Sequence, residues 1–219
     1  MPRVQSNIEL KTLKEMLYCL IPINHKTAVF LVSFVLIIVI ITALLSNFWP
    51  KYEMRFFELG VLDKNKTTVE YFEDDSAITT DSQLVWFIYI HNHMGNEQKI
   101  NVHVKLTNST TQLPSDRENK PSPALSFVEF PLSLSINETI FVPFSWTILE
   151  AEFQNSSVLI KTMKVNNQII DVDGVGSSSS FYMIFELWVY DPTLQKYNFG
   201  WNYEGEFSSA SLYVEFNVS

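Results

Sequence analysis

The feature that most constrains this chain is an apolar run from Thr27 to Trp49, in which 23 residues pass without a charged side chain. A core helix of a globular protein seldom stays apolar on every side over such a length. At about 1.5 Å per residue the run extends about 34 Å, enough to cross a hydrocarbon core about 30 Å thick. The sequence therefore predicts one membrane-spanning helix over residues 27–49, with a lipid bilayer as its partner.

A cleaved signal peptide is the main alternative, because the run lies near the N-terminus. Signal peptides have an apolar core of about 7–15 residues, followed by a small-x-small cleavage site. The run is longer than that, and residues 45–50 do not form such a site. The sequence favours an uncleaved anchor, with Trp49 and Tyr52 placed where an outer aromatic belt is expected.

The charges on the two sides of the span predict its orientation. Residues 1–26 carry four basic and two acidic side chains, whereas the rest of the chain carries 11 basic and 22 acidic ones. Basic flanks stay in the cytoplasm. We therefore expect a single-pass cell-membrane protein with a cytoplasmic N-terminus and an extracellular domain over residues 50–219. The acidic balance of that domain argues against nucleic acid as a partner.

The tail, residues 1–26, contains an amphipathic pattern. Four leucines between residues 10 and 20 share one helical face, which predicts a short helix that lies in the inner interface and ends before Pro22. Contact with a partner helix of a membrane complex is the alternative. The single cysteine, Cys19, lies in this tail. The outer domain must therefore be held by its apolar core without a disulfide.

Beyond the span the hydrophobic period changes to two. Residues 99–107 alternate apolar and polar side chains, which is typical of a strand with one buried face. Residues 84–91 are apolar on both faces and predict a central strand, joined to the next one by a hairpin turn at 94–96. Further strands are predicted at 55–62, 139–147, 158–163, 168–172, 181–190 and 210–218. The pattern predicts an all-β fold, an antiparallel, immunoglobulin-like β-sandwich of seven to nine strands.

Several stretches of the outer domain carry a family resemblance. They are FFELGVL at 56–62, IYIHNH at 88–93, FELWVY at 185–190, Gly200-Trp201 and the closing strand at 212–218. Together they resemble the outer domain of a family of uncharacterised archaeal membrane proteins, known only as a domain of unknown function. The resemblance covers most of residues 55–218 in order. It implies a membrane-anchored layout and an archaeal origin, and it implies no activity.

Three histidines form the strongest candidate for a ligand site. His91 and His93 lie on one strand face, and His103 lies on the strand predicted to pair with theirs. Imidazole nitrogens so arranged bind zinc or copper, and Met94 would add a soft ligand for copper. The register decides whether His103 joins, because a shift of one residue turns it to the other face. The alternative is that the histidines cap a hairpin and bind no metal.

Two further patterns indicate surface features of the outer domain. Residues 171–174, Asp-Val-Asp-Gly, resemble the start of a calcium loop, but no further carboxylate follows, so a plain acidic turn is predicted. Five sequons of the form Asn-x-Ser/Thr predict N-glycosylation, the alternative being turn residues without glycans. The five begin at Asn65, Asn108, Asn137, Asn155 and Asn217.

Catalytic motifs do not accompany these candidates. The sequence has no Gly-x-Ser-x-Gly, no His-Glu-x-x-His and no glycine-rich phosphate loop, so we expect neither an enzyme nor a cofactor. Our first hypothesis is a cell-surface protein that contacts a protein partner or a second copy of itself, as an envelope component or an accessory subunit. The alternative is a binding module for carbohydrate or a metal ion, using the histidines or the aromatic residues Trp86, Trp188 and Trp201.

Overall fold

The computed structural model describes residues 24–48, 54–68, 77–154, 157–177 and 180–219. The chain divides into two compact units, Met1–Glu53 and Met54–Ser219. The amphipathic helix predicted in the tail lies outside the described residues, as do Trp49 and Tyr52 of the predicted aromatic belt.

The first unit contains a helix, α1 (His25–Phe48), of 24 residues. Its segment Lys26–Leu44 has a mean hydropathy of 3.0, and none of it is buried. The Thr42 hydroxyl donates to the carbonyls of Ile38 and Val39 at 2.9 and 3.0 Å, so this polar group is satisfied within the helix. The predicted helix is confirmed, and it is long and apolar enough to cross a membrane.

The second unit is built from antiparallel strands, which confirms the all-β prediction. All ladders between these strands are antiparallel. The strands in the described residues are β1 (Phe57–Leu62), β2 (Leu84–Asn92), β3 (Gln98–Asn108), β4 (Ser126–Leu134), β5 (Thr139–Gln154), β6 (Ser157–Val165), β7 (Gln168–Ser177), β8 (Phe181–Asp191), β9 (Lys196–Phe199), β10 (Trp201–Tyr203), β11 (Glu206–Ser208) and β12 (Ser211–Phe216).

The strands form two five-stranded sheets and a small hairpin. The first sheet has the order β1-β2-β5-β6-β7, and the second has the order β12-β8-β3-β4 with β9 also paired to β8. Strands β10 and β11 form the hairpin. The predicted hairpin between β2 and β3 is wrong, because these strands belong to different sheets. Alternation shows which face of a strand is buried, but two strands in different sheets can face the same core.

The connection between β2 and β3 is fixed by one buried side chain. The Nδ2 atom of Asn92 donates to the carbonyls of Asn96, Leu134 and Ser135 at 2.8–3.3 Å, and its Oδ1 accepts from the Met94 amide at 2.9 Å. These bonds tie the segment after β2 to the end of β4 and satisfy buried backbone groups there. The chain therefore crosses from the first sheet to the second at the place where a turn was predicted.

Aromatic side chains from both sheets meet in one core. The ring of Trp86 lies 5.2 Å from Trp146 and 6.3 Å from Phe185 of the second sheet. Phe144 lies 5.5 Å from Phe185, and Trp146 lies 5.2 Å from Phe216. Each of these rings is at most 4% exposed. Burial of one such side chain stabilises the fold by about 1.5–3 kcal/mol, so this cluster replaces the disulfides that the domain does not have.

Several strands depart from their predicted limits. The sequence analysis missed β4, in which Pro131 interrupts the pattern; a proline is tolerated there because β4 is an edge strand. It also missed β9, β10 and β11, which are three or four residues long. The acidic turn predicted at 171–174 is wrong, because Asp171 pairs with Thr162 inside β7. Gly174 takes a positive φ of 68° within the same strand.

Candidate metal centre

Three side chains meet on the outer face of the first sheet. Glu58 on β1 is the register partner of His91 on β2. Ile90 and Asn92 are fully buried, so His91 and His93 point to the opposite face. The His93 amide donates to the carbonyl of Phe56 at 3.0 Å, which continues the β1–β2 pairing one residue beyond β2. Strand pairing thus brings together Glu58, His91 and His93, here called the histidine cluster.

The cluster has the dimensions of a metal site. One ligand atom from each of its three residues lies within 4.8 Å of the others. Among the residues that the structure describes, this is the one group of three or more His, Cys, Asp or Glu side chains that meets this condition. The Nε2 atom of His93 lies 3.1 Å from Oε1 of Glu58. The two imidazole rings stack with centroids 3.8 Å apart and planes 7° apart.

One nitrogen of His91 is engaged and the other is not. The Nδ1 atom lies 3.0 Å from the hydroxyl oxygen of Thr139 on β5. The Nε2 atom is buried and has no hydrogen-bond partner. A metal-binding histidine commonly donates from one nitrogen to an oxygen and coordinates with the other. His91 therefore has the arrangement of a ligand, with its ring held in place by the contact to Thr139.

The carboxylate of Glu58 is oriented by a tyrosine. The hydroxyl of Tyr89 donates to Oε2 of Glu58 at 2.7 Å. This bond, with a smaller contribution from His93, lowers the pKa of Glu58 from its ordinary value. The carboxylate in turn raises the pKa of Tyr89. Glu58 is therefore ionised at neutral pH, with Oε2 held by Tyr89 and Oε1 directed to the histidines.

The structure does not bring His103 to this cluster. His103 lies on β3 in the second sheet, where its ring stacks on Trp188 with centroids 4.7 Å apart. Its Nε2 atom lies 3.6 Å from the Glu129 carboxylate and 3.1 Å from Nδ2 of Asn101. Burial lowers the pKa of His103. The β2–β3 pairing that would have made it the third ligand does not occur.

Glu58 takes the place predicted for His103, and the sequence analysis did not identify it. Glu58 is far from the histidines in sequence and reaches them only through the β1–β2 register. Its polar side chain in the otherwise apolar strand Phe57–Leu62 is the one sequence signal that it carries. Met94, predicted as a soft ligand, is 7% exposed and packs with the core instead.

The other predicted site residues are distributed over the second unit. Trp86 is 1% exposed and belongs to the core. The sequon asparagines Asn65, Asn137 and Asn217 are exposed, whereas Asn108 is half-buried. The Nδ2 atom of Asn108, to which a glycan would be attached, donates to the carbonyl of Gly176 at 2.6 Å. The fifth sequon asparagine, Asn155, lies outside the described residues, and glycosylation stays a prediction at all five.

Comparison with known proteins adds no relative. No protein-family model matches the sequence, and no curated protein matches it. The resemblance to an archaeal membrane-protein family therefore stays a prediction from the sequence, and the candidate function depends on the geometry of the site.

Proposed function

We propose that this chain is a single-pass membrane protein whose β unit is an extracellular binding module for a divalent transition-metal ion, held by Glu58, His91 and His93. The observation that carries the proposal is that His91, which offers a ligand atom within 4.8 Å of those of His93 and Glu58, has a buried Nε2 atom without a hydrogen-bond partner. A metal ion at this place would supply the missing partner and would neutralise the charge of Glu58.

The ligand set favours zinc. Two imidazoles and one carboxylate form a set that zinc uses in its three-ligand sites, with water or another molecule in the fourth position. Copper accepts imidazole as well, but the sulfur of Met94 is buried in the core. Calcium requires six to eight oxygen ligands, which this cluster does not offer. We therefore expect the histidine cluster to bind zinc or copper far more tightly than calcium.

Metal binding requires a small movement of the two rings. An imidazole nitrogen offers its lone pair in the plane of the ring, and the planes of His91 and His93 are nearly parallel. The lone pairs of two parallel rings do not converge on one ion. We expect His93, which also stacks on Phe56 at 4.4 Å, to tilt away from His91 when the ion binds.

The test is metal uptake by the full chain in detergent micelles. Equilibrium dialysis against zinc, copper and calcium compares the parent with His91→Ala/His93→Ala, and His103→Ala serves as the matched histidine control. The proposal requires about one equivalent of zinc in the parent and in the control, and its loss from the double variant. Equal uptake by all three proteins would contradict it.

The anchor and its orientation form part of the same proposal. They are supported by the apolar helix α1 and by the basic tail opposed to an acidic domain. A protease added to intact cells should digest the C-terminal domain and spare residues 1–26. Protection of the domain together with cleavage of the tail would reverse the orientation and place the histidine cluster in the cytoplasm.

The finer fold also belongs to this proposal. We infer an immunoglobulin-like sandwich from the ring contacts that join the two sheets, such as Phe144 to Phe185. An experimental structure in which the strands close into one continuous barrel would contradict this inference. Contact with a protein partner or a second copy stays a prediction from the sequence, and native mass spectrometry of the membrane assembly tests it.

A further inference from the structure

A concave surface lies on the β unit, on the other sheet from the histidine cluster. It is a groove of about 730 Å³ between the end of β8, strands β9 to β11 and the loop that contains Asn119. The volume falls in the range of small-molecule sites. Its lining includes the aromatic residues Trp188, Trp201 and Phe207 and the amides Asn119, Asn198 and Asn202.

The walls of the groove are held firmly by the fold. Gly200 takes a positive φ of 77°, and a Cβ atom there would lie 2.2 Å from the carbonyl oxygen of Ser208. Glycine is therefore required for the β10–β11 hairpin to fold back at this place. The Trp201 ring packs edge-on against Phe57 at 5.2 Å. The groove is thus preformed, while Phe207 at its edge is 68% exposed.

The charges of the lining argue against anionic ligands. Asp191 is the one charged residue among the lining residues that the structure describes, and its Oδ1 atom accepts from the amides of Thr193 and Leu194. Phosphates, sulfates and acidic sugars are recognised mainly by arginine and lysine, and the lining contains neither. The groove is therefore suited to a neutral ligand.

The remaining lining matches a ligand with apolar faces and many hydroxyl groups. The exposed ring of Phe207 and the half-buried ring of Trp188 offer apolar surfaces, whereas Trp201 is 8% exposed and belongs to the core. The amides both donate and accept hydrogen bonds. The Oδ1 atom of Asn119 is buried and has no hydrogen-bond partner in the protein. This oxygen lies against Gly200, so a hydroxyl group in the groove would bond instead to the half-buried amide of Asn198 or the exposed amide of Asn202.

We propose that this groove binds a neutral oligosaccharide. The sugar rings lie against Phe207 and Trp188, and their hydroxyl groups bond to Asn198 and Asn202. The site is separate from the histidine cluster, so sugar binding does not require the metal. A domain with both sites would hold an ion and a glycan through different sheets.

The test uses the full chain in lipid nanodiscs, because maltoside detergents carry sugar head groups that would compete for the groove. Isothermal titration compares neutral hexasaccharides of glucose, mannose, galactose and N-acetylglucosamine with the acidic hexamer of galacturonic acid. The proposal requires that at least one neutral hexasaccharide binds and that the acidic one does not. Binding of none of the neutral sugars, or preference for the acidic one, would overturn it.

Variants then locate the site of binding. Phe207→Ala and Asn198→Ala should each weaken sugar binding about tenfold, with zinc uptake unchanged as evidence of an intact fold. Phe153→Ala is the matched control, because Phe153 is 58% exposed and does not line the groove. If Phe207→Ala and Phe153→Ala bind the sugar equally well, the sugar lies elsewhere and the proposal is wrong.

Discussion

Two regions of the β unit place histidine beside glutamate, and they differ in what the glutamate already binds. In the histidine cluster, Glu58 is 43% exposed and meets His93 and Tyr89, with no lysine or arginine recorded in contact among the described residues. On the second sheet, His103 is the register partner of Glu186, which is fully buried. The glutamate of the second region already pairs with a cation, and that of the first region pairs with a histidine and a tyrosine.

The resident cation of the second region is Lys105. Its Nζ atom lies 2.8 Å from Oε2 of Glu186 and donates to the carbonyl of Ser122 at 2.7 Å. The Ser122 amide donates to Oε1 of Glu186 at 2.6 Å, and Trp188 Nε1 donates to Oε2 at 3.1 Å. Both oxygens of the carboxylate are thus satisfied. These four residues, here called the lysine network, are structural.

The difference teaches how to separate a ligand site from a structural cluster of similar composition. In the lysine network the charges balance and each oxygen of Glu186 has a donor. In the histidine cluster an imidazole nitrogen is buried without a partner beside an ionised carboxylate. An unmatched atom is not sufficient by itself, because Oδ1 of Asn101 near His103 is also buried without a partner. The candidate metal site is identified by an unmatched nitrogen together with a carboxylate that no lysine or arginine contacts among the described residues, whereas Glu186 already pairs with Lys105.

The largest effect is expected from breaking the lysine network. Lys105→Met leaves the buried carboxylate of Glu186 without its cation, which should lower the free energy of unfolding by about 3–5 kcal/mol. Urea denaturation followed by tryptophan fluorescence measures this loss. The double variant Lys105→Met/Glu186→Leu should recover most of it, since it removes both charges. A loss below about 1 kcal/mol in the single variant would show that the network is not structural.

A smaller effect is expected from the residue that orients His91. Thr139→Val removes the hydroxyl at Nδ1 and should weaken zinc binding about 10–100-fold. Thr139 also completes the sequon of Asn137, so the variant would remove a glycan as well. Asn137→Gln is the control, because it removes the sequon and keeps the hydroxyl. Equal zinc affinity in the two variants would show that the hydroxyl does not position the ligand.

The free energy of unfolding should depend on pH through the titration of His103. Burial lowers its pKa, with Glu129 and Glu186 opposing and Lys105 reinforcing the shift. The folded state therefore favours neutral His103, and its contribution to stability is present above the unfolded pKa of about 6.5 and is lost as pH falls through the folded value. His103→Gln should flatten the loss of stability in this window. An unchanged pH profile in urea denaturation would contradict the assignment.

The smallest effect is expected from the tyrosine that holds Glu58. Because the Tyr89 bond is the main cause of the lowered pKa of Glu58, Tyr89→Phe should raise this pKa toward its ordinary value. The stabilisation from ionised Glu58 is present above its unfolded pKa and is lost as pH falls through the lower folded value, so the variant should lose it at higher pH. NMR titration of the Glu58 carboxyl carbon measures the shift. The same pKa in parent and variant would exclude Tyr89 as its cause.

Local patterns in the sequence predicted many elements of the fold, and pairing between distant elements explains most of what they missed. The alternation at 99–107 predicted β3 almost to its ends. The prediction that its polar face is wet was wrong, because Asn101, Lys105 and Thr107 are at most 7% exposed. No local pattern shows which sheet a strand joins, so the β2–β3 hairpin was wrong and His103 was placed beside the wrong strand. Glu58 was missed for the same reason.

In the candidate site, too, local patterns predicted some residues, and the others depend on pairing between distant strands. The His-x-His pattern identified two of its three ligands, since both lie on one strand face. The third ligand and the orienting hydroxyl of Thr139 come from the strands on either side of β2, whose identity depends on sheet order. Of the groove, the sequence analysis identified only the aromatic residues Trp188 and Trp201. Its amide side chains come from segments that the tertiary fold brings together.

The most direct test of the central claim is X-ray absorption spectroscopy of the full chain loaded with one equivalent of zinc. The proposed site predicts two imidazole nitrogens at about 2.0–2.1 Å and a carboxylate oxygen at about 2.0–2.2 Å from the ion. The imidazole signal should disappear in His91→Ala/His93→Ala and persist in His103→Ala. A spectrum of oxygen ligands alone, or one unchanged by the double substitution, would contradict the account.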